Sequence, residues 1–518
     1  MLNGYTRTIN TIRNIIMGVI TKIITIILPF LIRTIIIYKL GAEYAGINSL
    51  FSSILQVLSV SELGISSAIT FSLYKPVAEN DLIEIKKWIT IYKSIYKMIG
   101  TVILLLGLMI CPFIRFFISG DYPQNLNIYI LYLIYLANSV ISYYAFGYKD
   151  VVLTVNQRKD KLSQIELIVS LVRSIVQMVI LLTTQNFYIY ILMLPVFTMI
   201  SNIAVNSVSN KMYPEFNSKN KLSLKGVSKI KNQLKGVAIG KIAVVARNAF
   251  DSIIISSMLG LTAAAIYSNY YYIFSSVTSL LVVILTSMSA SVGNSLAVNS
   301  KEKNYEDLIK FDFYFQFLVS FSTICLYVLY QPFMLIWVGD KLMYPLFTVI
   351  LFCVYFYVNN LAQIRGVYSE ASGIWWDFRF FTIGEMIANL FLNFILGYMW
   401  GANGILLATI ITAFISSFIC ITYIALKKIF SKSPMEYYKN NLVYGVVTII
   451  VAILIKKILN TIKVNNFVDF LIICILCAFI SAVFLLIIYI AIPKTRKYIL
   501  ALNKNRRKNE KINNQIYK

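Results

Sequence analysis

Lys22 and Arg33 stand eleven residues apart in one long apolar run, TKIITIILPFLIRTIIIYK. In a helix that spacing is three turns, so both side chains project within about 20° of each other. Pro29, one turn before Arg33, predicts a kink between them. An ionisable group deep in an apolar span costs at least about 2.5 kcal/mol by insertion scales, so it faces a partner or a water-filled cavity, or snorkels to an interface.

A second group follows in the run GKIAVVARNAFDSIIISSMLG, where Lys241, Arg247 and Asp251 fall within eleven residues. Arg247 and Asp251 are one helical turn apart, the spacing of an ion pair. Glu62 in SVSELGISS and Arg173 in SLVRSIVQM are further deep charges, and Asp312 and Glu385 lie nearer span ends. Asn269 and Tyr270 belong to a cluster with Tyr267, Tyr271 and Tyr272, whose rings suit a sugar face or an interfacial aromatic belt. Lys22, Arg33, Arg173, Lys241 and Arg247 outnumber the acids Glu62 and Asp251. A cavity lined this way favours an anion such as a lipid pyrophosphate, because cations act strongly where water is scarce.

The elements that carry these residues are membrane helices. Hydrophobic residues make up 58 % of the 518 positions and charged ones 13 %, and mean hydropathy is +0.74. Apolar runs of about 20 residues, the length of a helical span, recur near 11–37, 44–73, 89–114, 127–148, 163–184 and 187–208. After a lysine-rich stretch they resume near 236–260, 262–298, 308–338, 343–364, 380–399, 402–426, 441–459 and 467–492. The fold class expected is an all-α polytopic membrane protein of about fourteen spans. Its parts are a lobe over 1–210, a basic linker over 211–235, a second lobe over 236–430, two added helices over 431–492 and a basic tail over 493–518.

A net charge of +25 would suggest nucleic acid in a soluble chain. Here Lys and Arg fall between apolar runs, 34 on one side and six on the other, which predicts both termini on the cytoplasmic side and no nucleic-acid partner. The opposite loops are short, so no soluble active site is built there. The six cysteines sit in or beside apolar segments, and Cys474 and Cys477 read as packing. There is no histidine and no GxxxxGK[ST] loop, so His-based catalysis, a His metal site and ATP binding at such a loop are excluded; no cofactor, catalytic residue or metal site is expected.

Sliding the sequence along itself until Thr21 meets Gly240 lays TKIITIILPFLIRTIIIYKLG over GKIAVVARNAFDSIIISSMLG, with six identities in 21 positions. Lys22 then meets Lys241, and Leu40-Gly41 meets Leu259-Gly260. Two parallel six-helix repeats are a recurrent transporter plan.

The stretches KLGAEYAGINSLFSSILQVLSVSELGISSAITFSLYKPVAEND, from Lys39, and NLFLNFILGYMWGANGILLATIIT, from Asn389, resemble the polysaccharide flippases (Wzx type) of the multidrug/oligosaccharidyl-lipid/polysaccharide (MOP) exporter superfamily. The resemblance covers essentially the whole chain. It implies two six-helix lobes in a MATE-like V around a cationic cavity, with two extra C-terminal helices. It also implies alternating access that moves an undecaprenyl-pyrophosphate-linked oligosaccharide outward across a bacterial cytoplasmic membrane. Membrane lipids, a polysaccharide polymerase and chain-length machinery are the partners it suggests. The functional class it carries over is the charged positions of the first and seventh helices. Two rivals remain: a multidrug cation antiporter of the same superfamily, expected to hold an acidic lobe, and a membrane-embedded oligosaccharide polymerase, expected to hold a large outside loop.

Overall fold

Without water, a backbone must satisfy its amides within the segment, and apolar runs of this length can do so only as helices. The computed structural model describes residues 4–59, 65–216, 231–460, 464 and 466–499, with backbone alone for 4–16, 19, 65, 67, 68, 71, 231–248 and 290. Every regular element among them is helical. In chain order they are α1 (Gly4–Lys39), α2 (Ala42–Leu58), α3 (Ile65–Glu79), α4 (Leu82–Ile110), α5 (Ile128–Tyr144), α6 (Asp150–Val155), α7 (Lys159–Thr183) and α8 (Phe187–Met212). There follow α9 (Lys231–Val298), α10 (Lys301–Val338), α11 (Leu346–Asn360), α12 (Gln363–Ala371), α13 (Trp375–Trp400), α14 (Ala402–Thr412), α15 (Ile421–Ala425), α16 (Met435–Leu459) and α17 (Phe467–Ala491).

Starts are fixed by side-chain caps that satisfy otherwise orphaned amides. Asp81 accepts from Ile83 N and Glu84 N at the head of α4, and Ser300 accepts from Lys303 N at the head of α10. Among the described residues eleven helices are long and apolar enough to cross a membrane, or twelve if the bent pair α5 and Gly147–Val155 is one crossing. The fourteen expected differ from this at two places. Gly260, at φ 88° and ψ 176°, interrupts α9 where two crossings are expected, and residues 60–64 within the expected second span lie outside the described set.

Left-handed backbone positions recur with the period seen in the sequence. The offset that pairs Thr21 with Gly240 also pairs Gly41 (φ 121°) with Gly260 (φ 88°), and Gly120 (φ 74°) with Gly339 (φ 76°). A second common offset, slightly shorter, pairs Phe146 with Ala362, Gln157 with Gly373 and Gln185 with Gly401, all at φ between 51° and 70°. Such conformations are uncommon, above all outside glycine, so five coincident turns are a stronger mark of repetition than six identities.

The chain divides into two compact units, one of Met1–Asn269 with Met386–Ile405 and one of Tyr270–Glu385 with Leu406–Lys518. The sequence boundary expected at 211–235 falls largely outside the described residues, as does the 500–518 part of the basic tail.

In the first unit α1 lies along α7, and α5 lies between α4 and α8. The core is built on Phe51, whose ring meets Tyr132 and Tyr135 edge-on at 5.6 Å each. Hydrophobic transfer gives little drive between helices already in lipid; close approach and interhelical hydrogen bonds of about 0.6–1.7 kcal/mol do more. Both appear where α2 and the segment after α4 meet α9. Ser49 and Ser252 share a hydrogen bond of 3.2 Å, Thr262 Oγ1 donates to Glu43 Oε1 at 3.2 Å, and Ser119 N donates to Ser256 O at 3.0 Å. A Cβ on Gly46 would stand 2.2 Å from Leu261 O, so only glycine permits this approach. Gly46→Val is expected to cost about 1–3 kcal/mol by overpacking, read as a lowered unfolding temperature of the solubilised protein; an unchanged temperature contradicts the close packing.

The second unit is organised on α10, flanked by α11, α16 and α17. A polar ladder joins α10 to α16: Tyr437 Oη donates to Asp312 Oδ1 at 2.8 Å, Asn441 Nδ2 to Asp312 Oδ2 at 3.0 Å, and Thr448 Oγ1 to Ser320 Oγ at 2.7 Å. Thus α16, which reads from sequence as part of an addition without deep charges, supplies the donors that hold a buried carboxylate. Tyr437→Phe removes one donor to an anion and is expected to cost about 1–3 kcal/mol, measurable by the same unfolding assay; full stability would detach α16 from any such role.

Candidate functional site

Arg33 is half-buried, two-thirds of the way along the described span of α1. Its guanidinium is held by the part of α9 that follows the Gly260 break. Nε donates to Asn269 Oδ1, Nη2 to Ser268 Oγ, and Nη2 also to Ala265 O at 3.2 Å. These acceptors are neutral, and three bonds to them orient the guanidinium. Asn269 is 0 % exposed, and its Nδ2 has no hydrogen-bond partner among the described residues. A fixed planar cation beside an unused amide donor is an arrangement suited to oxyanions.

Arg173, half-buried on α7, has an Nε without a hydrogen-bond partner among the described residues. Arg173 and Arg33 both act electrostatically on buried Tyr190 on α8. Lys22 is half-buried further down α1, next to Thr21, whose hydroxyl donates to Ser163 O on α7 at 3.2 Å.

Asp251 is 1 % exposed on α9, before the break. It accepts from Tyr267 Oη at 3.1 Å and from Asn393 Nδ2 at 2.8 Å, and Asn393 Nδ2 is also 3.3 Å from Asn389 Oδ1. Asn389 and Asn393 are each 0 % exposed. Sequence reasoning does not single them out as site residues, although two amides one turn apart on an apolar helix are a legible signal of a buried polar face.

The remaining candidates separate. Lys241 and Arg247 lie on α9, but their side chains are outside the described residues, and so is Glu62 altogether. Tyr270 is fully buried in the second unit, with Tyr330, Tyr344 and Phe352 at ring-centroid distances of 5.4, 5.3 and 5.5 Å. Its hydroxyl donates to Gln331 Oε1 at 3.0 Å and accepts from Tyr344 N at 3.1 Å. Asp312 is enclosed by α16 in the same unit. Arg365, read from sequence only as a blurred span boundary, is 6 % exposed and donates to Ser417 O at 3.0 Å. No group of three or more metal-ligating side chains occurs among the described residues.

No protein-family profile matches the chain, and no curated protein sequence matches it. Solved structures do. The lipid II flippase MurJ in an inward closed conformation aligns with a TM-score of 0.66 over 92 % of this chain and 99 % of its own, at 17 % identity. An inward-facing multidrug resistance transporter of the MATE family and MOP superfamily aligns with a TM-score of 0.60 over 78 % of this chain and 94 % of its own, at 12 % identity. A MOP superfamily transporter from Pyrococcus furiosus, described by the reverse polarity of its binding pocket, aligns at 0.58 over 82 % and 96 %, at 12 % identity. The chain is therefore a multi-pass membrane protein with the all-helical fold of MurJ and the MATE transporters. These neighbours are transporters and flippases rather than enzymes.

Proposed function

We propose that this protein is a flippase that carries undecaprenyl-pyrophosphate-linked oligosaccharides across a bacterial cytoplasmic membrane for surface polysaccharide synthesis, with both termini cytoplasmic. The observation that carries the reading is Arg33: a guanidinium inside the span, oriented by Ser268, Asn269 and Ala265. Arg173 on α7 acts with it on the electrostatics of Tyr190, and Lys22 lies three turns below on the same helix. Lys241 and Arg247 complete the set proposed to hold the pyrophosphate by alternating access, with Asp251 tuning Arg247 one turn away. The fold shared with a lipid II flippase and with a MOP transporter of reversed pocket polarity agrees with an anionic, lipid-borne substrate.

The rival that shares the fold is multidrug export, since MATE transporters align as well. Deleting the gene separates the two. The flippase reading expects surface polymer to disappear and lipid-linked repeat units to accumulate inside, with dye susceptibility unchanged. Normal polymer together with increased sensitivity to cationic drugs would overturn it.

A further inference from the structure

A cavity of about 160 Å³ opens in the first unit among α4, the turn before α6 and α8, and its polar lining is Thr90, Lys93, Tyr148, Lys149, Asn206 and Asn210. None of its lining residues is acidic. Lys149 is only 5 % exposed, and its Nζ donates to Asn210 Oδ1 at 2.8 Å. Asn210 Nδ2 in turn lies 3.2 Å from Asn206 Oδ1, which turns the Asn210 oxygen toward the lysine. Lys93 is exposed at the mouth, its Nζ 5.8 Å from the centre of the Tyr148 ring.

The internal repeat says what is unusual here. The capping residues Asp81 and Ser300 correspond under the offset that pairs Gly41 with Gly260, which sets Lys93 opposite Asp312. The left-handed residues Phe146 and Ala362 correspond under the shorter offset, which sets Lys149 opposite Arg365. In the second unit Asp312 is buried in the electrostatic surroundings of the buried cation Arg365, and Tyr437 and Asn441 of α16 donate to its two oxygens. In the first unit the cation is kept, a lysine stands where the carboxylate would be, and the space is an open cavity.

We infer that this cavity is a binding site for a phosphate oxyanion, which takes the place that the Asp312 carboxylate takes in the second unit. Two lysines with amide and phenol groups match a compact tetrahedral anion, for which lysine is a point-charge partner. At roughly 30 Å³ per water, the volume holds such a group with a few waters. Lys86, Lys87, Arg158 and Lys211 lie at the same end of the unit's helices, the headgroup zone that attracts anionic lipid. The phosphate comes either from a lipid headgroup or from solution.

The test uses the purified full-length protein in neutral detergent. Its unfolding temperature is measured against short-chain phosphatidylglycerol, against diacylglycerol of the same chain length, and against inorganic phosphate at constant ionic strength. A rise with phosphatidylglycerol alone identifies a headgroup site, and a rise with inorganic phosphate identifies a free-anion site. In either case Lys93→Gln should weaken the half-saturating concentration by about ten-fold, while Lys303→Gln, outside the cavity, should not. Lys93→Asp, which restores the arrangement of the second unit, should raise the unfolding temperature without ligand and abolish the response to it. Because Lys93 is exposed, both variants are expected to fold even if a Lys149 variant does not. No response to either phosphate source, or a response unchanged in Lys93→Gln and Lys93→Asp, overturns the site.

Discussion

Arg33→Gln is expected to lower translocation of a pyrophosphate-linked lipid by about a hundred-fold or more while the protein still reaches the membrane folded. The size follows from the bonds lost. Charge-assisted bonds from a guanidinium to a phosphate are worth about 1.5–3 kcal/mol each, and about 1.4 kcal/mol is a factor of ten. Folding is spared because the bonds from Arg33 to Ser268, Asn269 and Ala265 involve neutral oxygens, and interhelical bonds of this kind average about 0.6 kcal/mol in membranes. Arg33→Lys keeps the charge without the planar fork and should fall between the two. Initial rates in proteoliposomes, normalised to folded protein, measure all three. An Arg33→Gln rate within two- or three-fold of the unsubstituted protein would remove Arg33 from the substrate path.

Asp251→Leu is expected to be the most damaging single change to stability. Asp251 is 1 % exposed and accepts from both Tyr267 and Asn393. Leucine would take a charged acceptor away from two buried donors, Tyr267 Oη and Asn393 Nδ2, at about 1–3 kcal/mol each. Summed, about 2–6 kcal/mol is a large fraction of the stability of a typical domain, about 5–15 kcal/mol. Asp251→Asn keeps the shape and one acceptor oxygen, so it should lose far less stability while still testing whether the charge is needed for transport. Size-exclusion recovery and unfolding temperature distinguish the cases: poor recovery for leucine with near-normal recovery for asparagine is expected. Equal recovery of the leucine variant would mean that the three side chains do not form a structural unit.

Which of these groups can be read from sequence follows from how local their causes are. The helices are legible because a span needs only a run of apolar residues. The repeat is legible at Leu40-Gly41 and Leu259-Gly260, since an exit turn with positive φ uses glycine. Its other turns are hidden because Phe146, Gln157 and Gln185 hold the same conformation without glycine. Arg33 and Asn269 each stand out in the sequence, but their pairing spans 236 residues and depends on where α9 resumes after Gly260, which no periodicity encodes.

Lys149 and Arg365 mislead for a shared reason. Both directly follow an expected span, 127–148 and 343–364, where a cation ordinarily reads as a topology signal in water, yet they are 5 % and 6 % exposed. Burial there is produced by α8 and by the turns around Ser417, which are distant in sequence. Asp312 reads as a span-end charge because its enclosure depends on Tyr437 and Asn441, more than a hundred residues later.

The most direct measurement of function is translocation by the purified protein. Full-length protein is reconstituted with undecaprenyl-pyrophosphate-linked oligosaccharide, and the glycan that becomes accessible to a membrane-impermeant glycosidase is followed with time. The flippase reading predicts protein-dependent exposure of the glycan that is absent in empty vesicles and lost in Arg33→Gln. Failure to move the lipid-linked glycan, with uptake of a cationic dye by the same vesicles, would contradict it.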